Sequence, residues 1–336
     1  MSLVTFLMEK AKYLVDKYTI GFCRNRIVIG GRKFSFCTIP VPEGYKQSQT
    51  HPSILYFPNQ WHGYSHLLAT TPYHKRNIRF ENPCIYYASE AGSPTIFSPH
   101  PTNPIIPLPS GKTAYNSDPC LFFENNRLYL INRKCERAPD LREIEVCYSD
   151  DGIHFSQPET IITETTDKKE LLSPSIIPYA NKKRMYFLNT DAGTGRNKKC
   201  TGIDIYEGTS FEQADFSLLK TGQFLNHTEI GIEPWHFDLF QYDNKLYMVL
   251  CAVNIRRRGL LNRMNTYLAV SDDYQFFRIF PTPIVQLIRT YRPTAYLDGN
   301  NTLHLYFSVV GEVADDKSDR AIALTSFDFP DLLKKL

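Results

Sequence analysis

No two of the eight cysteines in this 336-residue chain stand in a Cys-x-x-Cys arrangement. Paired-thiolate metal ligation is therefore not written into the local spacing. Net charge is scarce as well. Thirty-eight Lys and Arg against 35 Asp and Glu leave +3, too little to argue for a nucleic-acid partner. No apolar run approaches the length of a membrane span, so no membrane association is expected. The first ten residues lack both a basic start and a long apolar stretch, and so do not read as a signal peptide. Several cysteines sit inside apolar, strand-like runs (Cys84, Cys120, Cys147, Cys251). They read as reduced, buried small hydrophobes in a cytoplasmic protein rather than as a disulfide framework. No cofactor is expected.

Aromatic residues, by contrast, are plentiful: 22 Phe and 21 Tyr bring the aromatic share to 13%. With frequent Pro and regular turns, that enrichment favours β-structure. Sugar-binding clefts are also aromatic-rich, but strand packing accounts for most of these rings. Residues 3–18 show apolar positions suited to one amphipathic helix, predicting an N-terminal helical extension over residues 1–23. A strand pair then follows around the Gly30-Gly31 turn.

From His51 onward one phrase recurs five times. It reads His51-Pro52-Ser53, Asp118-Pro119-Cys120, Ser173-Pro174-Ser175, His236-Phe237-Asp238 and Arg292-Pro293-Thr294. The copies start at 51, 118, 173, 236 and 292, hence 67, 55, 63 and 56 residues apart. Each continues through further strand signals, as in Arg127–Ile131 and Ile144–Tyr148, with an Asp-Gly turn at Asp151-Gly152. Four strand signals per unit predict an all-β, five-bladed β-propeller over residues 24–336. The segment 24–39 is expected to supply an outer strand that closes the ring against the last unit. A solenoid competes less well, because the units are rich in hairpins.

In a propeller the first strand of each blade lines a central channel. The residues opening those strands should ring one mouth: His51, Asp118, Ser173, His236 and Arg292. Side chains alternate along a strand, so Ser53, Cys120, Ser175, Asp238 and Thr294 form the ring below. Four of these are small, as a crowded axis requires; Asp238 demands a partner. Any one polar strand-start residue more often satisfies loop backbone than it does chemistry. Two His, an Asp and an Arg at equivalent positions make a stronger case for a site. Glu81 lies in a loop expected on the same face, and Glu233 and Trp235 immediately precede the fourth copy. Arg256-Arg257-Arg258 and Arg263 read first as a solvated loop, and second as an anion-binding patch suited to a charged sugar. Trp61-His62 falls at a strand turn on the far face and is set aside.

The Asn116-Ser117-Asp118-Pro119, Ser173-Pro174-Ser175 and Glu233-Pro234-Trp235-His236 segments resemble the five-bladed propeller glycosidases around glycoside hydrolase family 43 and the fructan-cleaving enzymes. The resemblance spans roughly residues 45–325. It implies a glycoside hydrolase acting on an oligosaccharide or polysaccharide through paired carboxyl groups. In that group an Asp opens the first blade, where this chain has His51. The resemblance implies Asp118 as base or transition-state stabiliser and Glu233 or Glu81 as proton donor. His51 serves as base or holds hydroxyls. His236, Asp238, Ser173, Trp235 and Arg263 are the candidate sugar-binding residues, and Arg292 a clamp for an anionic group. Three other readings stand beside this one. The first is a non-catalytic glycan-binding propeller. The second is a metal-dependent site built from His51, His236 and Asp118, a donor set that suits iron or zinc. The third is a scaffold that uses its rim for protein partners.

Overall fold

The computed structural model describes residues 34–74, 77–90, 92–110, 114–137, 140–165, 169–191, 199–255, 264–286, 290–310 and 320–336. The expected N-terminal helix, the first strand and turn of the pair around Gly30-Gly31 and the arginines at 256–258 and 263 lie outside these residues, while the second strand of that pair is described from Phe34 onward.

Among the described residues twenty strands follow one another with little helix between them. The first is β1 (Ser35–Phe36). The first repeat unit contains β2 (Gln49–Trp61), β3 (Tyr64–Pro72), β4 (Cys84–Ala88) and β5 (Ser98–Pro99). The second contains β6 (Tyr115–Glu124), β7 (Arg127–Arg137), β8 (Asp140–Ser149) and β9 (Glu159–Thr165). The third contains β10 (Lys169–Tyr179), β11 (Lys182–Asp191), β12 (Cys200–Gly208) and β13 (Ser217–Phe224). A short helix, α1 (His227–Ile230), leads to β14 (Ile232–Tyr242), β15 (Lys245–Asn254), β16 (Met264–Ser271) and β17 (Phe276–Ile279). The chain ends with β18 (Thr290–Leu297), β19 (Thr302–Val310), β20 (Arg320–Asp328) and α2 (Phe329–Lys335).

Each unit is an antiparallel meander. Units one and two form separate four-stranded sheets, and β18–β20 form a third with β1 at its edge. The pairing of Ser35 with Leu324 and Phe36 with Ala323 is the expected closure of the last unit by the N-terminal segment. Units three and four share one eight-stranded sheet, because their outer strands β13 and β17 pair in parallel at Gln223–Phe276 and Phe224–Phe277. The first strands touch in cyclic order: β2 with β6, β6 with β10, β10 with β14, β14 with β18, and β18 again with β2.

The core lies between neighbouring sheets. Phe57, Trp61, Leu67, Leu121, Leu130 and Cys147 pack unit one on unit two. Phe122, Ile144, Met185, Tyr206 and Phe211 pack unit two on unit three. Sheets covered on both faces need continuous apolar strands rather than alternating ones. Met248, Val249, Leu250, Cys251 and Ala252 in β15 are accordingly all fully buried. Most aromatic rings are spent on this packing, as expected; Phe57, Trp61 and Phe123 form one such group and Phe240, Tyr247 and Phe329 another. Trp61 ends β2 inside the core, which accords with setting it aside. The seven cysteines among the described residues are unpaired. Among the described residues no helix is long and apolar enough to cross a membrane.

One expectation needs correcting. The repeat residues do not open the first strands; those strands begin two to four residues earlier, at Gln49, Tyr115, Lys169, Ile232 and Thr290. Each repeat instead sits at a β-bulge. The register slips between Thr50 and Ser53, Ser117 and Cys120, Leu172 and Ser175, Pro234 and His236, and Tyr291 and Pro293. Proline has no N–H to give a ladder, so within a central strand a bulge is where it fits. A Pro after a polar residue reads as a boundary in sequence, yet here the slipped register absorbs it mid-strand.

Candidate functional site

The bulges bring the five repeat residues together around Asp118. His51, Asp118 and Ser173 occupy equivalent bulge positions with φ of 52°, 52° and 54°. Non-glycine residues enter this left-handed region at a cost of about 1–3 kcal/mol each, so three equivalent cases mark a backbone held by its surroundings.

Asp118 is fully buried. Its Oδ1 lies 3.2 Å from Arg292 Nη1, 3.6 Å from His51 Nε2 and 3.9 Å from His236 Nδ1. Its Oδ2 lies 3.2 Å from Arg133 Nε and 3.5 Å from the Ser173 backbone N–H. His51 Nδ1 is 2.9 Å from the Thr71 hydroxyl. Ser173 Oγ and His236 Nδ1 are 2.5 Å apart. Arg133 donates from Nη2 to Ser117 Oγ at 3.1 Å, and Arg292 from Nη2 to the Pro174 carbonyl at 3.2 Å.

Burial dominates the titration of both histidines, pushing His51 down to about 3 and His236 well below the ordinary imidazole range. Burial works to raise the Asp118 carboxyl too. The cationic neighbours override it (His51 when protonated, then Arg133 and Arg292) and hold Asp118 well below the usual carboxylate range. Since burial keeps the histidines neutral, the standing partners of the carboxylate are the two arginines.

Tyr291 completes the cluster, with its ring centre 4.5 Å from His236 and 5.3 Å from His51. Trp235 packs edge-on against His236 and donates from Nε1 to the Tyr291 hydroxyl at 3.3 Å. Arg320 Cζ lies 3.9 Å over the Tyr291 ring.

The ring below is also assembled as expected. Asp238 accepts from Ser175 Oγ at 2.7 Å and from Thr294 Oγ1 at 2.6 Å, which supplies the partners a buried acid requires. Burial pushes its carboxyl up. Ser53, Ser175 and Thr294 in turn accept backbone N–H groups of Leu121, Leu239 and Ile54 on neighbouring units. Ser53, Cys120, Ser175 and Asp238 of this ring also line a cavity of about 420 Å³ that extends toward the far end of the first strands, past Tyr56, Phe122, Phe240 and Tyr296.

The other predicted acids stand apart from Asp118. Glu233 is buried and accepts the Cys200 backbone N–H at 2.5 Å. Glu81 is buried at the end of the short turn Ile78–Phe80. It acts electrostatically on Tyr115, as does Arg133, and its neighbour Asn82 accepts from Asn116 Nδ2 at 3.2 Å. Glu81 is thus on the same end of the first strands as the cluster. Arg263 lies outside the described residues. Sequence reasoning missed Arg133, Tyr291, Arg320 and Thr71. Arg133 faces Ser117 across the β6–β7 ladder, so pairing each repeat with the strand that follows it was the available signal.

His51, Asp118 and His236 each bring one potential ligand atom within 4.8 Å of the others. Neutral imidazoles and a carboxylate suit a transition metal or zinc, and His236 Nε2 is buried without a hydrogen-bond partner. Arg133 and Arg292, one against each carboxylate oxygen, oppose a cation there.

No protein-family model matches this sequence, and no curated protein resembles it in sequence. Solved structures do resemble it in fold. An N-acetylgalactosamine deacetylase from F. plautii, in complex with blood group B trisaccharide, superposes with a TM-score of 0.73 at 16% identity, over 91% of this chain and 97% of that one. A family 43 β-xylosidase/α-arabinofuranosidase from a compost microbial metagenome, in complex with xylotriose, gives 0.59 at 14% identity over 88% and 94%. A family 43 enzyme from Xanthomonas citri, also with xylotriose, gives 0.56 at 13% over 87% and 89%. The chain is a β-propeller. Similarity at this level extends to the propeller's fold, and the chemistry must come from its own residues.

Proposed function

We propose that this propeller has five blades, the eight-stranded sheet counting as two, and that it is a hydrolase acting on a glycan at the Asp118 cluster. One observation carries the reading: the buried carboxylate of Asp118 lies where the first strands converge, 3.6 Å from His51 and 3.9 Å from His236. The solved neighbours with bound xylotriose or trisaccharide support a sugar as the occupant.

Roles follow from the electrostatics. Two arginines at 3.2 Å lower the basicity of Asp118, so it stabilises a cationic transition state better than it removes a proton. His51 and His236 are unprotonated and serve as base or as acceptors for sugar hydroxyls. The proton donor is Glu81 or Glu233, both buried. Hydrolysis of a panel of aryl glycosides and oligosaccharides tests this. Turnover that disappears in Asp118→Ala and in one of Glu81→Ala or Glu233→Ala supports it; turnover intact in all three ends it. Sugar binding without turnover would identify a recognition module instead.

A second reading is metal-assisted hydrolysis, favoured by the three ligand atoms within 4.8 Å. There His51, Asp118 and His236 would hold the ion, which would activate a water. Elemental analysis of purified protein, with activity before and after chelation, decides between the two. Stoichiometric zinc or iron, with activity lost on chelation and restored on reloading, selects the metal reading.

A further inference from the structure

Asp238 is a carboxylate deep in the molecule that the chemistry above leaves unused. Ser175 Oγ and Thr294 Oγ1 each accept a backbone N–H, which leaves each hydroxyl hydrogen for Asp238. One of these bonds reaches Oδ1 and the other Oδ2. Both oxygens therefore act as acceptors, the arrangement of an ionised carboxylate. Arg292 acts on Asp238 electrostatically from the ring above. Yet Arg292 directs Nη1 at Asp118 and Nη2 at the Pro174 carbonyl. A charge at this depth is costly without a cation in contact, and two hydroxyls do not supply one.

Asp238 also borders an opening. It is only partly covered, and with Ser53, Cys120 and Ser175 it lines the cavity of about 420 Å³ at the far end of the first strands. Pro58, Pro178 and Gln241 line the same cavity and are exposed, so it opens to solvent there. Gln241 follows Asp238 by three residues along β14, which sets a depth of about 10 Å at the strand rise. The walls between include Leu55, Tyr56, Phe122, Phe240 and Leu297. Among the described residues that line the cavity, Asp238 is the charged group, with no Lys, Arg or His beside it.

These features select the chemistry of an occupant. The acid at the floor calls for a positive charge that carries N–H donors. The walls call for a hydrocarbon or aromatic body, and aromatic rings also attract organic cations. A hard metal ion takes about six to eight oxygen ligands, which these side chains do not offer. An anion would meet Asp238 and no cation.

We propose that the far mouth of the channel binds a small organic ammonium ion, with its charged group on Asp238 and its apolar body against Tyr56, Phe122 and Phe240. The site is on the far side of the lower ring from the Asp118 cluster, and it stands without the glycan reading.

Calorimetric titration at about pH 8, above the usual carboxylate range, tests it with matched pairs that exchange an ammonium group for a hydroxyl. Phenethylamine is compared with phenethyl alcohol, and hexylamine with hexanol. At least one amine should bind about tenfold or more tightly than its alcohol. Asp238→Asn, checked for folding by circular dichroism, should remove that preference. Leu55→Trp fills the cavity from its wall and should weaken amine and alcohol together, and it replaces the Asp238 variant if that one does not fold. Equal affinity of amine and alcohol in the wild type, or no binding of either, overturns the proposal without any variant. A preference that Asp238→Asn leaves intact, or binding that Leu55→Trp leaves intact, overturns it too. Sodium, potassium and calcium chlorides are titrated alone; a metal ion that binds and that the amines cannot displace would put an inorganic occupant in place of the organic one and overturn it.

Discussion

Asp118→Asn removes one negative charge and almost no volume, so its effect isolates the electrostatics of the cluster. Two guanidinium nitrogens stand 3.2 Å from the carboxylate oxygens. At an effective dielectric constant of about 20, each such pair is worth roughly 5 kcal/mol by Coulomb's law. Desolvation of the three charges offsets much of that. Removing one member of a buried ion pair costs about 3–5 kcal/mol, because the partner charge is left uncompensated. For a domain of this size about 2 °C of melting temperature accompanies each kcal/mol, giving an expected drop of about 6–10 °C. Circular-dichroism melts at pH 7 would compare wild type, Asp118→Asn, Arg292→Gln and the double variant. The double variant should recover part of the loss, since one stranded guanidinium is gone. A drop below about 2 °C for Asp118→Asn, or a double variant whose loss equals the sum of the single losses, would refute this account of the cluster.

Acid should destabilise the protein before Asp118 titrates. His51 and His236 are buried neutral, so between their folded and unfolded pKa values the unfolded chain binds more protons. Stability is complete above about pH 6.5 and falls below it, by up to about 1.4 kcal/mol per pH unit for each histidine. His51→Gln should flatten that slope in denaturant titrations; an unchanged slope between pH 6.5 and 4 would show that His51 is not held neutral. Ser175→Ala strips a donor from Asp238 and an acceptor from the Leu239 N–H, and should cost about 1–3 kcal/mol by chemical denaturation. With a substrate in hand, Glu81→Gln and Glu233→Gln should differ. The proton donor should lose about 10²–10⁴-fold in kcat and the other far less, while two near-neutral variants would remove both from that role.

The architecture was legible because the repeat is physical. A polar residue followed by Pro and a small residue recurs in four of the five units, with His236-Phe237-Asp238 as the variant copy, and in each unit the phrase falls where the first strand bulges. The lower ring was legible for a related reason: little room exists there, and Asp238 found the hydroxyl partners its burial required. Strand starts were misplaced, because Pro in sequence signals a boundary while a bulge tolerates it mid-strand. Arg133 and Arg320 were missed because they come from other strands, β7 and β20, where no repeated phrase marks them. Tyr291 was missed although it adjoins Arg292, because a Tyr in an aromatic-rich strand looks like packing.

Backbone strain and site chemistry coincide at three of the five bulges. Asp118 and Ser173 have short side chains, and each must reach the cluster: Asp118 to meet two arginines, Ser173 to meet His236 and to offer its N–H to Asp118. Together with His51 they hold positive φ. His236 and Arg292 do not. The register separates the two groups: at His51, Asp118 and Ser173 two residues of the first strand oppose one of the second, whereas the fourth and fifth units insert a single residue, Trp235 or Arg292. With His51 in the first unit, the upper ring contains a single carboxylate, Asp118. Any reaction needing two carboxyl groups must draw the second from beyond that ring. Glu81, buried beside Tyr115 and Asn116 at the same end of the strands, is the acid whose position best meets that need.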